Sequence, residues 1–247
     1  MLGLGNTNTT GSSEKHFHPN DISDCVLALL AGDIVTSSTA GTVISWGDQS
    51  GAYAAPIFAY QSEAGKRPAY YDSYITFDGS NDRLALTELN LSTKKEITLD
   101  VSDNGFTIIV ICTSDDWNGS AQALLGDPDD SENYFRMKNG ADKFEYKAND
   151  GDNLVFNLDD PTALTDNTYY SIMLICASDG TLTLYINNTA QSDTETDTDD
   201  FKFEQIGMRD ASGNPLDGNL KHVVVYDKAL DSDERALINT WSQQYIG

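Results

Sequence analysis

Basic side chains are scarce in this chain. Its 247 residues carry 15 lysines and arginines against 39 aspartates and glutamates, a formal net charge of −24. A surface of that sign repels phosphate backbones and anionic headgroups, so neither nucleic acid nor a membrane surface is expected as a partner. The acid excess itself reads first as a solvated surface. Cysteine is equally sparse, and the 3 present are an odd number. Val110-Ile111-Cys112 and Leu174-Ile175-Cys176 end apolar runs in matching contexts, and Cys25 sits in a third. They read as small buried core residues, not as a disulfide framework. No apolar run reaches the roughly 18 residues of a spanning helix. The start, Met1-Leu2-Gly3-Leu4-Gly5-Asn6, has neither a basic region nor an apolar one. The expectation is a chain made and left in a cytoplasm, unless a particle carries it out. Nucleophile-elbow, P-loop and paired-cysteine metal motifs are also missing.

What is present is a period of two. Apolar and polar residues alternate from Val26 onward, which predicts short strands near 43–47, 74–78, 83–87, 106–113, 121–126, 134–138, 142–147, 153–158, 169–177, 181–187, 201–207 and 219–226. Many short strands between turns imply an all-β sandwich or jelly roll. Residues 106–112 and 170–176 are the most continuously apolar and should be central. Residues 181–187 alternate cleanly, which predicts one wet face, and Asp179-Gly180 before them is a hairpin turn. The polar tract from Gln191 to Asp200 reads as an exposed loop. A helix is predicted from about Asp233 to Tyr245, because Asp231 and Glu234 have capping-box spacing and Leu237, Ile238, Trp241 and Tyr245 share a face. No Pro-rich or Gly/Ser-rich linker interrupts residues 20–247. The expected organisation is a polar N-terminal arm, residues 1–18, and one β domain, residues 19–247.

Four segments in order carry a resemblance. Phe77-Asp78-Gly79-Ser80-Asn81-Asp82-Arg83-Leu84 is a strand running into a tight turn and out into another strand. It is very similar to a hairpin of the laminin-G-like, concanavalin A-like domains. Val43-Ile44-Ser45-Trp46-Gly47-Asp48-Gln49-Ser50-Gly51 and Arg67-Pro68-Ala69-Tyr70 resemble that family's preceding segments. Gly218-Asn219-Leu220, then Val223 through Leu230, resembles its last strand and exit. The resemblance covers about residues 19–247 and implies a concanavalin A-like antiparallel β-sandwich with one C-terminal helix. The opening Met1–Asn6 also resembles the start of small virion structural proteins of marine tailed phages.

Candidate sites follow from residue chemistry. Trp117 and Asn118, preceded by Asp115 and Asp116, combine the ring, amide and carboxylates that stack on and hydrogen-bond a sugar at a loop tip. A partly buried loop tryptophan is the competing reading. Asp127, Asp129, Asp130 and Glu132 gather hard oxygens in one turn, so calcium is the one cofactor the sequence admits; the competing reading is a solvated turn. In laminin-G-like relatives an acidic residue opening the last strand helps bind calcium. Here the matching positions are Lys221 and His222, a departure from that pattern. His16, Phe17 and His18 are candidates for anchoring the arm to a particle; the two imidazoles suit a metal only if further ligands converge.

Glycosidases of the resembled class pair carboxylates on one strand, and no strand here has that spacing. The nearest string, Glu195 to Asp200, lies in the polar tract, where nothing is expected to fix the carboxylates or raise a pKa. The expectation is therefore a non-enzymatic virion structural protein, a capsid decoration, fibre or spike assembled in the host cytoplasm. Its partners would be other capsid or tail proteins or copies of itself, with a host or environmental glycan as ligand. A bacterial carbohydrate-binding module or adhesin is the alternative, and a glycoside hydrolase the third reading.

Overall fold

The computed structural model describes residues 17–36, 41–88, 93–138, 143–149, 151–159 and 164–246. In chain order the first strands are β1 (Cys25–Thr36), β2 (Val43–Asp48), β3 (Ile57–Tyr60), β4 (Ala69–Tyr71), β5 (Tyr74–Asp78) and β6 (Leu84–Glu88). Then come β7 (Ile97–Leu99), the one-turn helix α1 (Val101–Asn104), β8 (Phe106–Cys112), β9 (Gln122–Gly126), β10 (Tyr134–Met137), β11 (Lys143–Lys147) and β12 (Leu154–Asn157). The last part holds β13 (Tyr170–Cys176), β14 (Thr181–Ile186), β15 (Thr189–Thr196), β16 (Phe201–Phe203), β17 (Gln205–Ile206), β18 (Asp217–Tyr226) and helix α2 (Ser232–Ser242).

Hydrogen bonding links the strands, all antiparallel, along the path β12-β11-β10-β9-β17-β6-β3-β2-β1-β18-β8-β13-β14-β15. The path folds back on itself around one apolar core: Phe106 of β8 stacks on Tyr146 of β11 with ring centroids 6.2 Å apart. The β1, β18, β8 and β13 stretch is covered on both faces. Ile108, Val110, Leu174 and Val225 enter the main core, while Ile109, Ile111, Met173 and Val224 meet Ile238 and Trp241 of α2. Burial on both faces explains why β8 and β13 are apolar without interruption. β14 has a single core face, and its Leu182, Leu184 and Ile186 alternate with partly exposed residues.

The tract from Gln191 to Asp200 is not simply a loop. Thr189–Thr196 is strand β15, paired with β14 from Thr181↔Thr196 to Ile186↔Thr189. Its inward positions are polar because they bond the strand at the other end of the path. Asp193 Oδ2 accepts the Asn157 backbone N–H at 3.0 Å, and Gln191 Oε1 accepts the Asp159 N–H at 3.0 Å. A backbone ladder needs no apolar side chains, and these bonds occupy edges that would otherwise be open.

The expected strand 201–207 splits into β16, which pairs with β7, and β17, which joins the main path. Strands β1, β3, β4 and β7 and helix α1 had no separate prediction; all but β1 are four residues or shorter. Helix α2 starts as its capping box requires, with Asp231 accepting from the Asp233 and Glu234 N–H groups. Ile238 and Trp241 are buried, but Leu237 is 46% exposed and points away from the sandwich, which corrects its predicted place on the packing face. All three cysteines are buried free thiols, and burial pushes Cys25 and Cys176 each up to about 12. Among the described residues no helix is long and apolar enough to cross a membrane.

Candidate functional site

A polar cleft of 350 Å³ opens at one rim of the sandwich, lined by Gly79, Asp116, Ser120, Gln122, Asn214 and Asp217 among others. Strand pairing assembles it. β18 runs beside β5 with Asp217 opposite Asp78 and Gly218 opposite Phe77, which brings the start of β18 against the hairpin after β5. Asp78 Oδ1 accepts the N–H of Ser80 at 2.9 Å and turns the chain, while Gly79 takes φ +68°. The Gly79 N–H donates to Leu216 O at 2.9 Å. A Cβ on Gly79 would lie 2.7 Å from the Asp217 carboxyl carbon, so the absence of a side chain is what lets that carboxyl reach the cleft.

Gln122 ties the walls together. It is buried, its Oε1 accepts the Asp217 N–H at 2.9 Å, and its Nε2 donates to Asp116 O at 3.2 Å and Ser114 Oγ at 3.0 Å. On the facing wall Asn214 adopts φ +51°, and its Oδ1 accepts from Arg136 Nη1 at 2.5 Å. Arg136 is fixed from behind by Glu145, which is 1% exposed and accepts from Nε at 2.8 Å. Among the described residues the lining holds two carboxylates and no lysine or arginine. Burial raises the pKa of Asp217, and the charges of Asp115, Asp78 and Asp116 raise it further. Two carboxylates and a fixed amide suit a ligand rich in hydroxyl groups, which donate to the first and accept from the second.

Of the predicted sugar-binding residues, Asp116 lines this cleft, and Asp115 joins its wall by donating its N–H to Asp217 O at 3.1 Å. Asn118 is exposed, and its N–H donates to Asp116 Oδ1 at 3.1 Å. Trp117 corrects the expectation of a stacking ring at a loop tip. It is 3% exposed, its Nε1 donates to Thr165 O at 3.1 Å, and its ring meets Tyr170 edge-on at 5.7 Å. Its burial holds the 115–118 segment down and leaves no face for a sugar. Gly79, Gln122, Asn214 and Asp217 were not singled out in the sequence. The turn glycine was visible there; the long-range pairing that gives it partners was not.

In the expected calcium turn the carboxylates diverge. Asp127 Oδ1 accepts the Asp129 N–H at 2.9 Å, and Asp130 accepts the Glu132 N–H at 2.8 Å and Asn133 Nδ2 at 2.9 Å. Asp129 pairs with Lys94 at 2.5 Å, and Glu132 pairs with Lys147. Burial raises the Asp127 pKa, whereas the hydrogen bond from Lys147 lowers that of Glu132. Among the described residues no group of three or more His, Cys, Asp or Glu side chains is placed to hold a metal ion. The last strand opens at Asp217, with Lys221 and His222 further along it.

His16 lies outside the described residues. Phe17 packs against the cluster under α2, and His18 caps the turn Pro19–Asp21 with its Nδ1 accepting the Asn20 N–H at 3.4 Å. Phe17 and His18 thus lie against the sandwich. Asp197 departs from expectation as well: burial raises its pKa, and its Oδ2 is a buried oxygen without a hydrogen-bond partner among the described residues.

This architecture is shared. The laminin-G-type family model described as the concanavalin A-like lectin/glucanases superfamily matches residues 78–234, more than half of the chain. The chain belongs to that family. No curated protein matches the sequence. Among solved structures, the ligand-binding domain of botulinum neurotoxin serotype D in complex with N-acetylneuraminic acid is similar at TM-score 0.56 and 14% identity, over 90% of this chain and 51% of that one. The binding domain of botulinum neurotoxin DC in complex with SialylT gives 0.57 and 15%, over 92% and 53%. A Trypanosoma rangeli sialidase in complex with 2,3-difluorosialic acid gives 0.57 and 15%, over 92% and 34%. The chain thus spans about half or less of each, and at these identities the likeness is one of fold.

Proposed function

We propose that this chain is a non-enzymatic lectin-like module that takes a glycan in the cleft around Gly79, displayed on the particle of a tailed phage as a capsid decoration, fibre or spike. One observation carries the glycan reading. Asp116 from one segment and Asn214 and Asp217 from a second line a single cleft around a glycine from a third that leaves room between them. The structural relatives solved with sialic acid derivatives support a sugar as the ligand class. The virion half rests on the resemblance of Met1–Asn6 to phage structural proteins, and on an acidic surface suited to solution or to a cationic partner.

A glycan array tests the first half. Binding by the unaltered chain should fall roughly tenfold in Asp217→Asn, as expected when a carboxylate acceptor of a ligand hydroxyl is replaced by an amide. Full binding by that variant would move the site elsewhere. For the second half, deletion of residues 1–16 should leave the melting temperature nearly unchanged while abolishing incorporation into particles. Normal incorporation of the truncated chain would contradict anchoring through the arm.

A further inference from the structure

The charge around the Gly79 cleft is of one sign. Asp116 and Asp217 line it, and Asp115 and Asp78 stand close enough for their carboxylates, with that of Asp116, to act on Asp217. Asp115 and Asp116 are exposed, so their charges meet whatever approaches from solvent. Asp78 is fixed at the rim, because its Oδ1 accepts the N–H of Ser80 at 2.9 Å and of Asn81 at 3.3 Å.

The basic side chains of the surrounding segments are committed to other partners. Arg83, at the end of the hairpin, donates from Nη1 to Ala211 O at 2.8 Å. Arg209 donates to Asp210 Oδ2 from Nε at 2.9 Å and from Nη2 at 2.7 Å. Arg136 is held by Glu145 and by the Asn214 oxygen. Among the described residues none of these three arginines lines the cleft. The Asn214 amide is a neutral donor, which does not offset several like charges.

We propose that the cleft selects its sugar by charge: it takes an uncharged glycan and excludes sugars that carry a carboxylate or a sulfate. The hydroxyls of an uncharged sugar each bring a hydrogen, which the Asp116 and Asp217 carboxylates accept. A carboxylate or sulfate on the sugar brings acceptors alone, and these would face the two aspartates with no cation between them. The net charge of −24 extends the same repulsion to longer range and slows the approach of an anionic ligand. Sialic acids, uronic acids and sulfated sugars therefore fall in the excluded class. This deepens the reading of the cleft as a glycan site and rests on it.

Paired ligands on a glycan array test the inference: glucose beside glucuronic acid, galactose beside galacturonic acid, and lactose beside sialyllactose. EDTA in the buffer prevents a divalent cation from bridging the charges. The full chain should bind uncharged members, with their acidic counterparts at least about tenfold weaker. Raising salt from about 0.1 M to about 1 M, which shortens the screening length from roughly 10 to 3 Å, should narrow that ratio. Asp115→Asn, which removes an exposed charge beside the cleft, should narrow it as well. The salt comparison uses the unaltered chain and stands even if that variant does not fold. Acidic members that bind as well as the uncharged ones would overturn the inference. If Asp217→Asn then weakened both members, the cleft would still be the glycan site. A preference unmoved by salt and by Asp115→Asn would also overturn the inference, by assigning the selection to shape. No binding of any glycan, or full binding by Asp217→Asn, would remove the cleft reading and the inference with it.

Discussion

The side-chain oxygen of Gln122 accepts the backbone N–H of Asp217 at 2.9 Å, across 95 residues of sequence. With the Gln122 Nε2 bond to Asp116 O, this places a buried amide behind the two carboxylates of the cleft. Gln122→Ala would leave the Asp217 N–H and the Asp116 carbonyl without this partner. The expected cost is about 1–3 kcal/mol of stability, read by urea unfolding, together with weakened glycan binding. Unchanged stability and binding would mean that neighbouring groups or water replace the amide without loss.

Gly79 is the second constraint. At φ +68° an alanine costs roughly 1–2 kcal/mol, and its Cβ would sit 2.7 Å from the Asp217 carboxyl carbon. Gly79→Ala should therefore lower the midpoint of unfolding and also displace the Asp217 carboxylate, so that binding falls by more than the stability loss explains. Retained affinity at saturating folded protein would show that the Asp217 carboxylate makes no contact with the ligand.

Asp82, at the same hairpin, provides a test by pH. It is 6% exposed, and burial followed by repulsion from Asp78 raises its pKa to about 6, against the hydrogen bond it accepts from the Asp78 N–H at 3.2 Å. The folded state holds this proton more tightly than the unfolded chain, whose aspartates titrate near about 4. The group's contribution is thus favourable below that value and is lost as pH rises through about 6. Asp82→Asn can still accept from the Asp78 N–H through its Oδ1 and removes the charge. It should gain about 1 kcal/mol near neutral pH, after allowance for solvent screening, and nothing near pH ~4. Urea unfolding at the two pH values checks this, and an equal effect at both would contradict it.

The parts of the fold that were legible in sequence are those where one local pattern decides the structure. Residues 106–112 and 170–176 had to be central because both faces of β8 and β13 are covered. Asp231 and Glu234 marked the start of α2 because a capping box is a contact within four residues. β15 escaped because an edge strand is held by its ladder and by Asp193 and Gln191, with only Gln191 buried along its length. At the cleft, Asp116 was visible as one of several polar residues near Trp117. The partners Asn214 and Asp217 were not, since only the pairing of β18 with β5 and the Gln122 bridge bring them to it. Trp117 read as a loop-tip ring because its acidic and polar neighbours conceal Thr165 and Tyr170, which draw it inward.

The central claim is that the cleft around Gly79 takes a glycan, and the most direct measurement is NMR mapping with the best array ligand. The side-chain amide resonances of Asn214 and Gln122 and the backbone amide of Asp217 should shift in a saturable way, and Asp217→Asn should remove or weaken the response roughly tenfold. Saturable binding of that glycan with those resonances unmoved would contradict the account.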